Sequence, residues 1–200
     1  MKILIIGGTG TIGKEVADHF SIQNNVIIAN RTSKDFPVDI SDISSIKNLF
    51  QKVGKCDSII CVAGEAKWGN FKALKEEDFY IGIRSKLMGQ VNLVRIGQEF
   101  LVSKGSITLT TGILAGDPVV QTTSAAMVNG GIHSFVKVAA LEMEDEIRLN
   151  VVSTGVVKNA YKKYQSYFPG HTPIPMAKMI RGYVRSVEGK GNGQVIRIYD

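Results

Sequence analysis

The sequence is poor in the residues that staple small secreted domains together or hold metals. It has two cysteines and three histidines in 200 residues, and none of them cluster with the spacing of a metal site. Cys56 and Cys61 end the segment CDSIIC, and in a strand this odd separation would place them on opposite faces, unable to pair. Two free cysteines are typical of a reducing compartment. We therefore predict a cytoplasmic protein with no structural metal.

Long apolar runs and dense blocks of charge are also missing. No apolar run reaches the ~18 residues that span a bilayer, and the apolar start turns to glycine too soon for a signal peptide. The formal net charge is +6, but the lysines and arginines are spread along the chain, whereas nucleic-acid binding favours concentrated ones. We expect neither a membrane nor a nucleic acid as a partner.

The chain instead alternates strand-like segments with segments of helix length. The strand-like segments, such as KILII and NVIIAN, are almost entirely apolar. Apolar strands separated by helices are typical of a parallel sheet that is covered on both faces. The sequence therefore predicts one domain over residues 1–200, with a doubly wound α/β (Rossmann) fold in three layers, α/β/α.

This pattern predicts seven strands and five helices. The predicted strands are residues 2–6, 25–30, 36–40, 57–63, 105–111, 147–153 and 193–199. The predicted helices are residues 11–20, 41–53, 76–102, 124–143 and 175–189, the second with Ser41 or Asp42 as its N-cap. Only RTSKD separates the second and third strands, which is too short for a helical crossover.

The first strand runs into the glycine-rich turn GGTGTIG. Its glycines fit both the G-x-G-x-x-G dinucleotide pattern and a wider-spaced relative. Glycine permits positive φ and a close approach of the backbone to a pyrophosphate, and the helix that follows directs free N–H groups at the phosphates. A tight turn without a ligand is the alternative. The residues assigned to this site are Gly7, Thr9, Gly10, Thr11, Ile12 and Gly13.

The end of the second strand indicates which dinucleotide is bound. An NAD site usually has Asp or Glu there to bind the ribose 2′-hydroxyl, but this chain reads Asn30, Arg31 and Thr32. No carboxylate would repel a 2′-phosphate, and an arginine is present to bind one. NADP(H) is therefore favoured over NAD(H), unless Arg31 is only a solvated surface residue.

With these motifs in place, the chain resembles the short-chain dehydrogenase/reductase family over essentially its whole length. VDIS is similar to the pair beside the adenine, CVAG to the segment after the next strand, and RLNVVSTGVV to the segment beside the nicotinamide, with threonine replacing the usual proline. ITLTTG and GQVIRI resemble two later strands. The resemblance implies coenzyme contacts at Asp39, Ile40, Ala63, Gly64, Thr154, Gly155 and Val156.

The family's four catalytic residues, Asn, Ser, Tyr and Lys, are altered in this chain. Lys86 replaces the asparagine, Thr111 the serine, Ala125 the tyrosine and Asn129 the lysine. Losing a general acid costs ~10²–10⁴ in rate unless another group substitutes. Lys86 is a candidate substitute, stabilising an alkoxide or donating a proton, with Asn129 bonded to it or to the ribose. The alternative is a lysine that only extends from a packed helix to solvent.

Two further features concern the substrate side. In the family, the region corresponding to KNAYKKYQSYFPGHTPIPMA closes over the substrate. Tyr161, Tyr164 or His171 in it could supply the missing proton, or the tyrosines could pack against a partner subunit. His133 lies one turn beyond Asn129, and we interpret it as a core or interface histidine because no carboxylate or metal partner is evident.

Two functions fit this sequence. The first is a reductase or dehydrogenase that moves a hydride between NADP(H) and a small carbonyl or alcohol, with Thr111 holding the carbonyl oxygen. The second is a non-catalytic dinucleotide-binding protein. We favour the first. The small residues of the fourth predicted helix, and the helical dimer seam of the family, also predict a homodimer or homotetramer.

Overall fold

Six parallel strands form one sheet in the computed structural model, which describes residues 1–199. In chain order they are β1 Lys2–Ile6, β2 Asn25–Ala29, β3 Cys56–Cys61, β4 Leu101–Gly112, β5 Arg148–Thr154 and β6 Val195–Ile198. Their spatial order is β2-β1-β3-β4-β5-β6. The order reverses between β1 and β3, and ligands of doubly wound sheets bind in the crevice that such a reversal leaves. The predicted fold class is confirmed.

Helices connect the consecutive strands of the sheet. The helices are α1 Thr11–Ser21, α2 Ile43–Val53, α3 Glu76–Gly82, a π-helix Ile83–Met88, α4 Gly89–Gly97, α5 Thr123–Ala139, α6 Lys158–Tyr164 and α7 Met176–Glu188. Short 3₁₀ turns lie at Gln98–Phe100, Ile113–Ala115 and Gln165–Tyr167. Asp42 caps α2, since its Oδ1 accepts a hydrogen bond from Ser44 N at 2.8 Å. Within residues 1–199 no helix has the length and apolarity to cross a bilayer.

The predicted third strand is wrong. Residues 36–40 form only one isolated bridge, between Pro37 and Asn30, the residue that follows β2. Proline has no N–H to give to a ladder, and no helix lies between β2 and this segment to lay it alongside the sheet. The predicted helix over residues 76–102 is also interrupted. Its centre is the π-helix, and its last residues belong to β4, where Leu101 is buried and pairs with Cys56.

The sheet has an apolar core on each face. Leu4 and Ile6 of β1 point to the side covered by α2, α4 and α5, and Ile3 and Ile5 to the side covered by α1 and α7. This alternation is the period of two expected of a strand. Cys56 breaks it, because a register shift follows it in β3. It therefore packs in the same core as Cys61, and the predicted opposite faces are wrong. Both thiols are free, as predicted.

Strand β4 presents different chemistry on its two faces. Thr108 and Thr110 point toward α7, where they hydrogen-bond the side chains of Ser186 at 2.7 Å and Tyr183 at 2.9 Å. The intervening Leu109 points to the opposite core, against α5. The strand period therefore places the next residue on that face, Thr111, toward α5 at the carboxyl end of the sheet.

Candidate active site

Two adjoining cavities lie at the carboxyl ends of the strands. The first, which we call the loop cavity, has a volume of about 350 Å³. The second, the inner cavity, has a volume of about 320 Å³ and extends toward α5 and α6. Val62 and Gly64 line both, so the two cavities share a wall at the end of β3. The predicted site residues lining the loop cavity are Gly7, Thr9, Gly10, Asn30, Arg31, Thr32, Asp39, Ile40, Ala63 and Gly64.

The glycine loop is a concave surface of bare backbone. Gly7 has φ +85°, and a Cβ there would also approach the backbone of Val62 at 3.0 Å. A Cβ on Gly13 would overlap the carbonyl oxygen of Gly7, so α1 packs on the loop only because that position is glycine. Gly10 precedes α1, and no side chain among residues 1–199 caps the helix there. The exposed backbone of the glycine loop, next to the start of α1, fits a pyrophosphate.

Three residues of the predicted set have other places in this region. Ile12 lines the inner cavity instead. Thr11 begins α1 as an exposed residue and lines neither cavity. Gly13 is buried between α1 and the loop. The structure therefore gives Gly13 a packing position and leaves a coenzyme contact by Thr11 as a prediction.

Arg31 has a neighbour that the sequence did not reveal. Its Nη1 lies 3.7 Å from Glu65 Oε1, and both side chains are more than half exposed. Asn30 fixes the turn that contains Arg31, because Asn30 Oδ1 accepts hydrogen bonds from Thr32 N at 2.8 Å and Thr32 Oγ1 at 3.0 Å. The mouth of the loop cavity therefore carries one cation and one anion side by side.

Asp39 is fixed at the far side of the loop cavity. Its Oδ1 accepts hydrogen bonds from Ser41 Oγ at 2.6 Å and Ser41 N at 2.9 Å. These bonds lower the pKa of Asp39, with a smaller contribution from the charge of Arg31. The carboxylate is therefore ionised and oriented before any ligand arrives.

Lys86 reaches the inner cavity from the π-helix. A Cβ on Gly64, which has φ +117°, would lie 2.8 Å from Lys86 Cα, so glycine allows this close approach. Lys86 Nζ donates to Thr110 O at 3.3 Å, and the buried Gln90 donates to the same oxygen at 3.0 Å. No carboxylate among residues 1–199 pairs with Lys86. Burial lowers the pKa of Lys86.

Thr111 is hydrogen-bonded to a histidine that we did not include in the site. Thr111 Oγ1 lies 2.7 Å from His133 Nε2, and both residues are buried. Burial lowers the pKa of His133 to about 4, and the positive charges of Arg197 and Lys137 act in the same direction. The ring is therefore neutral at pH 7. The position of His133 one turn after Asn129 was the signal that could have linked it to the site.

The remaining predicted residues also line the inner cavity. Asn129 Oδ1 is buried and has no hydrogen-bond partner within residues 1–199, so the proposed bond to Lys86 is not formed. Lys86 Nζ donates to Thr110 O instead. The predicted coenzyme residues in this wall are Thr154, Gly155 and Val156. Lys86, Thr111 and Asn129 are thus brought together around one cavity that adjoins the glycine loop.

Comparison with known proteins gives the family. A family model described as enoyl-(acyl carrier protein) reductase matches residues 13–175. The chain belongs to the short-chain dehydrogenase/reductase family. The curated 3-oxoacyl-[acyl-carrier-protein] reductase FabG of Thermotoga maritima is 24% identical over an alignment of 182 positions, and the match covers 78% of this chain and 73% of that protein. The family is one of oxidoreductases that bind NAD(P).

Two solved structures are similar over the full length of this short-chain dehydrogenase/reductase. The protein lin1944 from Listeria innocua is 44% identical, with a TM-score of 0.97 and complete coverage of both chains. A small-chain dehydrogenase in complex with NADPH is 29% identical, with a TM-score of 0.88, covering 100% of this chain and 96% of that one.

Four aromatic residues, which we call the aromatic cap, cluster beside the inner cavity of this family member. Trp68 lies 5.4 Å from Tyr164 and 5.4 Å from Tyr167 between ring centroids, and 6.4 Å from Phe168. Trp68, Tyr164 and Phe168 line the cavity. Sequence reasoning missed Trp68 and Phe168, since nothing local brings residue 68 to residues 164–168.

Only one of the three suggested proton donors reaches the inner cavity. Tyr164 lines it, whereas Tyr161 is not among the lining residues. His171 Nε2 lies 3.0 Å from Asp117 Oδ2, outside the cavity wall. Tyr164 therefore remains a candidate donor, and the histidine holds the outer edge of the closing segment to the loop after β4.

Proposed function

We propose that this protein is an NADP(H)-dependent oxidoreductase that interconverts a small carbonyl compound and its alcohol in the inner cavity. The observation that carries the proposal is the placement of Lys86 and Thr111 around one cavity next to the glycine loop. Two hydrogen-bond donors on one cavity can converge on a substrate oxygen, which is the arrangement that stabilises negative charge on it. When bound, the nicotinamide coenzyme supplies or accepts the hydride.

The residues around the loop cavity fit NADP(H). The glycine loop would hold the pyrophosphate, Asp39 and Ile40 the adenine side, and Arg31 the 2′-phosphate. Glu65 competes for Arg31, but exposed ion pairs contribute only about 0–1 kcal/mol, less than a phosphate gains from a charged hydrogen bond. The similar structure with bound NADPH supports the same choice.

Lys86 and Thr111 would perform the part that tyrosine and serine have in the family. Thr111 donates a hydrogen bond to the substrate oxygen. Lys86 stabilises the negative charge that develops there, and because burial lowers its pKa it can also release a proton more readily than an exposed lysine. Three rings of the aromatic cap line the same cavity, and a substrate packed against them would displace water and so strengthen both interactions.

The lining of the inner cavity favours a substrate with an apolar or aromatic group. Apart from Lys86, no charged side chain of residues 1–199 lines it, and Trp68, Phe168, Leu114 and Ala125 contribute apolar surface. Since a volume of about 320 Å³ must also admit the nicotinamide, the substrate is small. Simple aryl and cycloalkyl aldehydes and ketones fit this description.

The test is NADPH oxidation with benzaldehyde, acetophenone and cyclohexanone, comparing wild type with Lys86→Met. We expect the variant to lose roughly 10²–10³ in kcat/KM, as for removal of an oxyanion donor, while NADPH affinity is unchanged. Lys47→Met, which removes an exposed lysine of α2, is the matched control and should keep wild-type kinetics. Unaltered turnover in Lys86→Met would remove the role given to Lys86.

Ala125 is the observation that favours the second candidate function, a non-catalytic NAD(P)-binding protein. It lies in the cavity wall where the family has tyrosine, and alanine cannot donate a proton. Tight NADPH binding by wild type, with no carbonyl reduced across the panel at any pH, would establish this alternative.

We also propose that the protein is a homo-oligomer. Several apolar side chains are exposed on the helices that form the dimer seam in the family. They include Tyr80, Ile81 and Met88 from α3 and the π-helix, and Met127 and Val138 from α5. Light scattering after size-exclusion chromatography should give a dimer or tetramer, and Met127→Glu should shift it toward the monomer. A monomeric wild type would contradict the proposal.

A further inference from the structure

The starting observation is a buried pair, Thr111 with His133. Thr111 is 3% exposed and His133 is 9% exposed, with 2.7 Å between Thr111 Oγ1 and His133 Nε2. Among the described residues, Thr111 Oγ1 has no other hydrogen-bond partner than His133. Neither lies on a loop, since Thr111 is in β4 and His133 in α5. Such a bond between two regular elements holds the threonine in one orientation.

The fold determines this pairing. Ile107 and Leu109 of β4 pack in one core with Ile132 and Val136 of α5, which fixes the helix against the strand. Thr111 continues the same face of β4 by one more strand period, past the last of these apolar contacts. The helix meets it there with a polar residue rather than an apolar one.

We propose that His133 is a positioning residue for the reaction: it donates its Nε2–H to Thr111 Oγ1, so that the threonine directs its own proton at the substrate oxygen. The inference rests on the proposed function, because it assigns Thr111 a substrate. It replaces our earlier interpretation of His133 as a structural histidine only.

The direction of the bond follows from counting donors. A hydroxyl has one proton and can accept two hydrogen bonds. If His133 accepted the threonine proton, Thr111 would present only lone pairs to a carbonyl oxygen, which also has only lone pairs. A bound carbonyl therefore selects the tautomer in which His133 is the donor. The oriented donor is then ready before the reaction begins, as electrostatic stabilisation requires.

The surroundings keep the ring neutral, so it acts as a dipole and not as a charge. Lys137 on α5 and Arg197 on β6 are the charged groups that act on it, and both are positive. A neutral imidazole has one N–H, and the nitrogen that carries it decides which way the hydroxyl turns. The arrangement needs no protonated histidine at any step.

The experiment compares His133→Gln, which retains an amide N–H donor, with His133→Leu, which has none. With NADPH and the best carbonyl of the panel, we expect His133→Leu to lose roughly 10- to 100-fold in kcat with little change in KM, because the interaction acts in the transition state. We expect His133→Gln to stay within about fivefold of wild type, and His133→Leu to add nothing on top of Thr111→Val. His19→Leu, an exposed histidine of α1, is the control.

A second readout does not depend on turnover. Nitrogen-15 NMR of the histidine rings, in complexes with NADP⁺ and with NADP⁺ plus acetophenone, reports which ring nitrogen of His133 carries the proton. We expect the Nε2–H form. The signal of His133 is assigned because it is absent from the spectrum of His133→Gln, and it should shift in Thr111→Val. The Nδ1–H form would overturn the inference, as would full kcat in a folded His133→Leu.

The two claims can fail separately. If wild type binds NADPH but reduces no carbonyl, the proposed function fails, and the tautomer spectrum then decides the direction of the Thr111–His133 bond by itself. If wild type is active and His133→Leu does not fold, the kinetics of His133→Gln and the spectrum decide. A loss in His133→Gln as large as in Thr111→Val, with intact folding, counts against the donor role.

Discussion

The two cavities at the carboxyl ends of the strands are built in different ways. The loop cavity is shaped by main chain, with Gly7, Gly10 and Gly64 admitting a ligand because they have no side chain. The inner cavity is shaped by side chains, among them Lys86, Thr111 and Ala125. The shape of the first cavity therefore depends on its glycines, whereas the chemistry of the second depends on individual side chains.

The charges show the same contrast. In the loop cavity the charged groups are exposed, as in the Arg31–Glu65 pair, or already satisfied, as in Asp39. In the inner cavity Lys86 has no anionic partner within residues 1–199, and Asn129 Oδ1 has no hydrogen-bond partner within the same residues. A buried polar atom without a partner is costly, so Asn129 Oδ1 is a candidate contact for a ligand of the inner cavity.

The largest expected effect is at the glycine loop. Gly13→Ala places a Cβ against the carbonyl oxygen of Gly7, so α1 must move away from the loop. We expect loss of measurable NADPH binding in a fluorescence titration, with a lower unfolding temperature. Gly130→Ala, where nothing lies within 4 Å of the added atom, should bind NADPH normally and be slightly more stable. If Gly13→Ala and Gly130→Ala bound NADPH equally well, the backbone of the glycine loop would not be what shapes the loop cavity.

A substitution in the aromatic cap should affect the carbonyl substrate and leave NADPH binding unchanged. Phe168→Ala removes a side chain that is 3% exposed, which costs about 3–5 kcal/mol for a buried phenylalanine. We expect a raised KM for the carbonyl and unchanged NADPH affinity, with stability measured by urea unfolding. Phe71→Ala, at a side chain 67% exposed, should stay within about 0.5 kcal/mol of wild type. A cap that only stabilises the fold would leave KM unaltered.

Arg31→Ala tests coenzyme choice. Losing a charged hydrogen bond costs about 1.5–3 kcal/mol, so NADPH affinity should fall roughly 10- to 100-fold while NADH affinity stays the same. Isothermal titration with both coenzymes checks this. Glu65→Gln removes the competing anion and should tighten NADPH slightly. An equal loss of NADPH and NADH affinity in Arg31→Ala would mean that the arginine does not bind the 2′-phosphate.

His133 gives a smaller, pH-dependent effect. Its pKa is lowered from 6.5 to about 4 on folding, so the unfolded chain binds more protons between these values, and stability falls as the pH drops through this window. Between about pH 7.5 and about pH 5 the loss is about 2 kcal/mol. Urea unfolding at both values should show this part of the pH dependence in wild type and in His19→Leu, and not in His133→Leu. The same dependence in all three would assign it to other groups.

Most of the fold could be read from local patterns. β1 and α1 were predicted almost to the residue, because an apolar strand, a glycine turn and an amphipathic helix follow one another without ambiguity. Residues 36–40 were misread, since VDI has strand-like residues but Pro37 cannot join a ladder. The break near Lys86 was not visible, because the helical pattern continues unchanged through the π-helix.

The residues of the candidate site also differ in how far the sequence could predict them. The glycine turn and Arg31 could be predicted from the strand pattern because each follows a strand, whereas Thr111 was predicted from the family resemblance. Glu65 and His133 could not, since their importance depends on neighbours distant in sequence, Arg31 and Thr111 respectively. The hypothesis of a Lys86–Asn129 bond was wrong for the related reason that a backbone carbonyl, Thr110 O, was the better-placed acceptor.

The amino-acid sequence by itself determined the α/β order of elements and the glycine turn, because these depend on residue type and short-range spacing. Only the tertiary structure decided which side chains meet around the inner cavity: Lys86 on Thr110 O, His133 behind Thr111, and Trp68 against the other rings of the aromatic cap. The physical reason is that hydrogen bonds and ring contacts act over a few ångströms. Which side chains come that close is set by the packing of helices on a sheet, far apart along the chain.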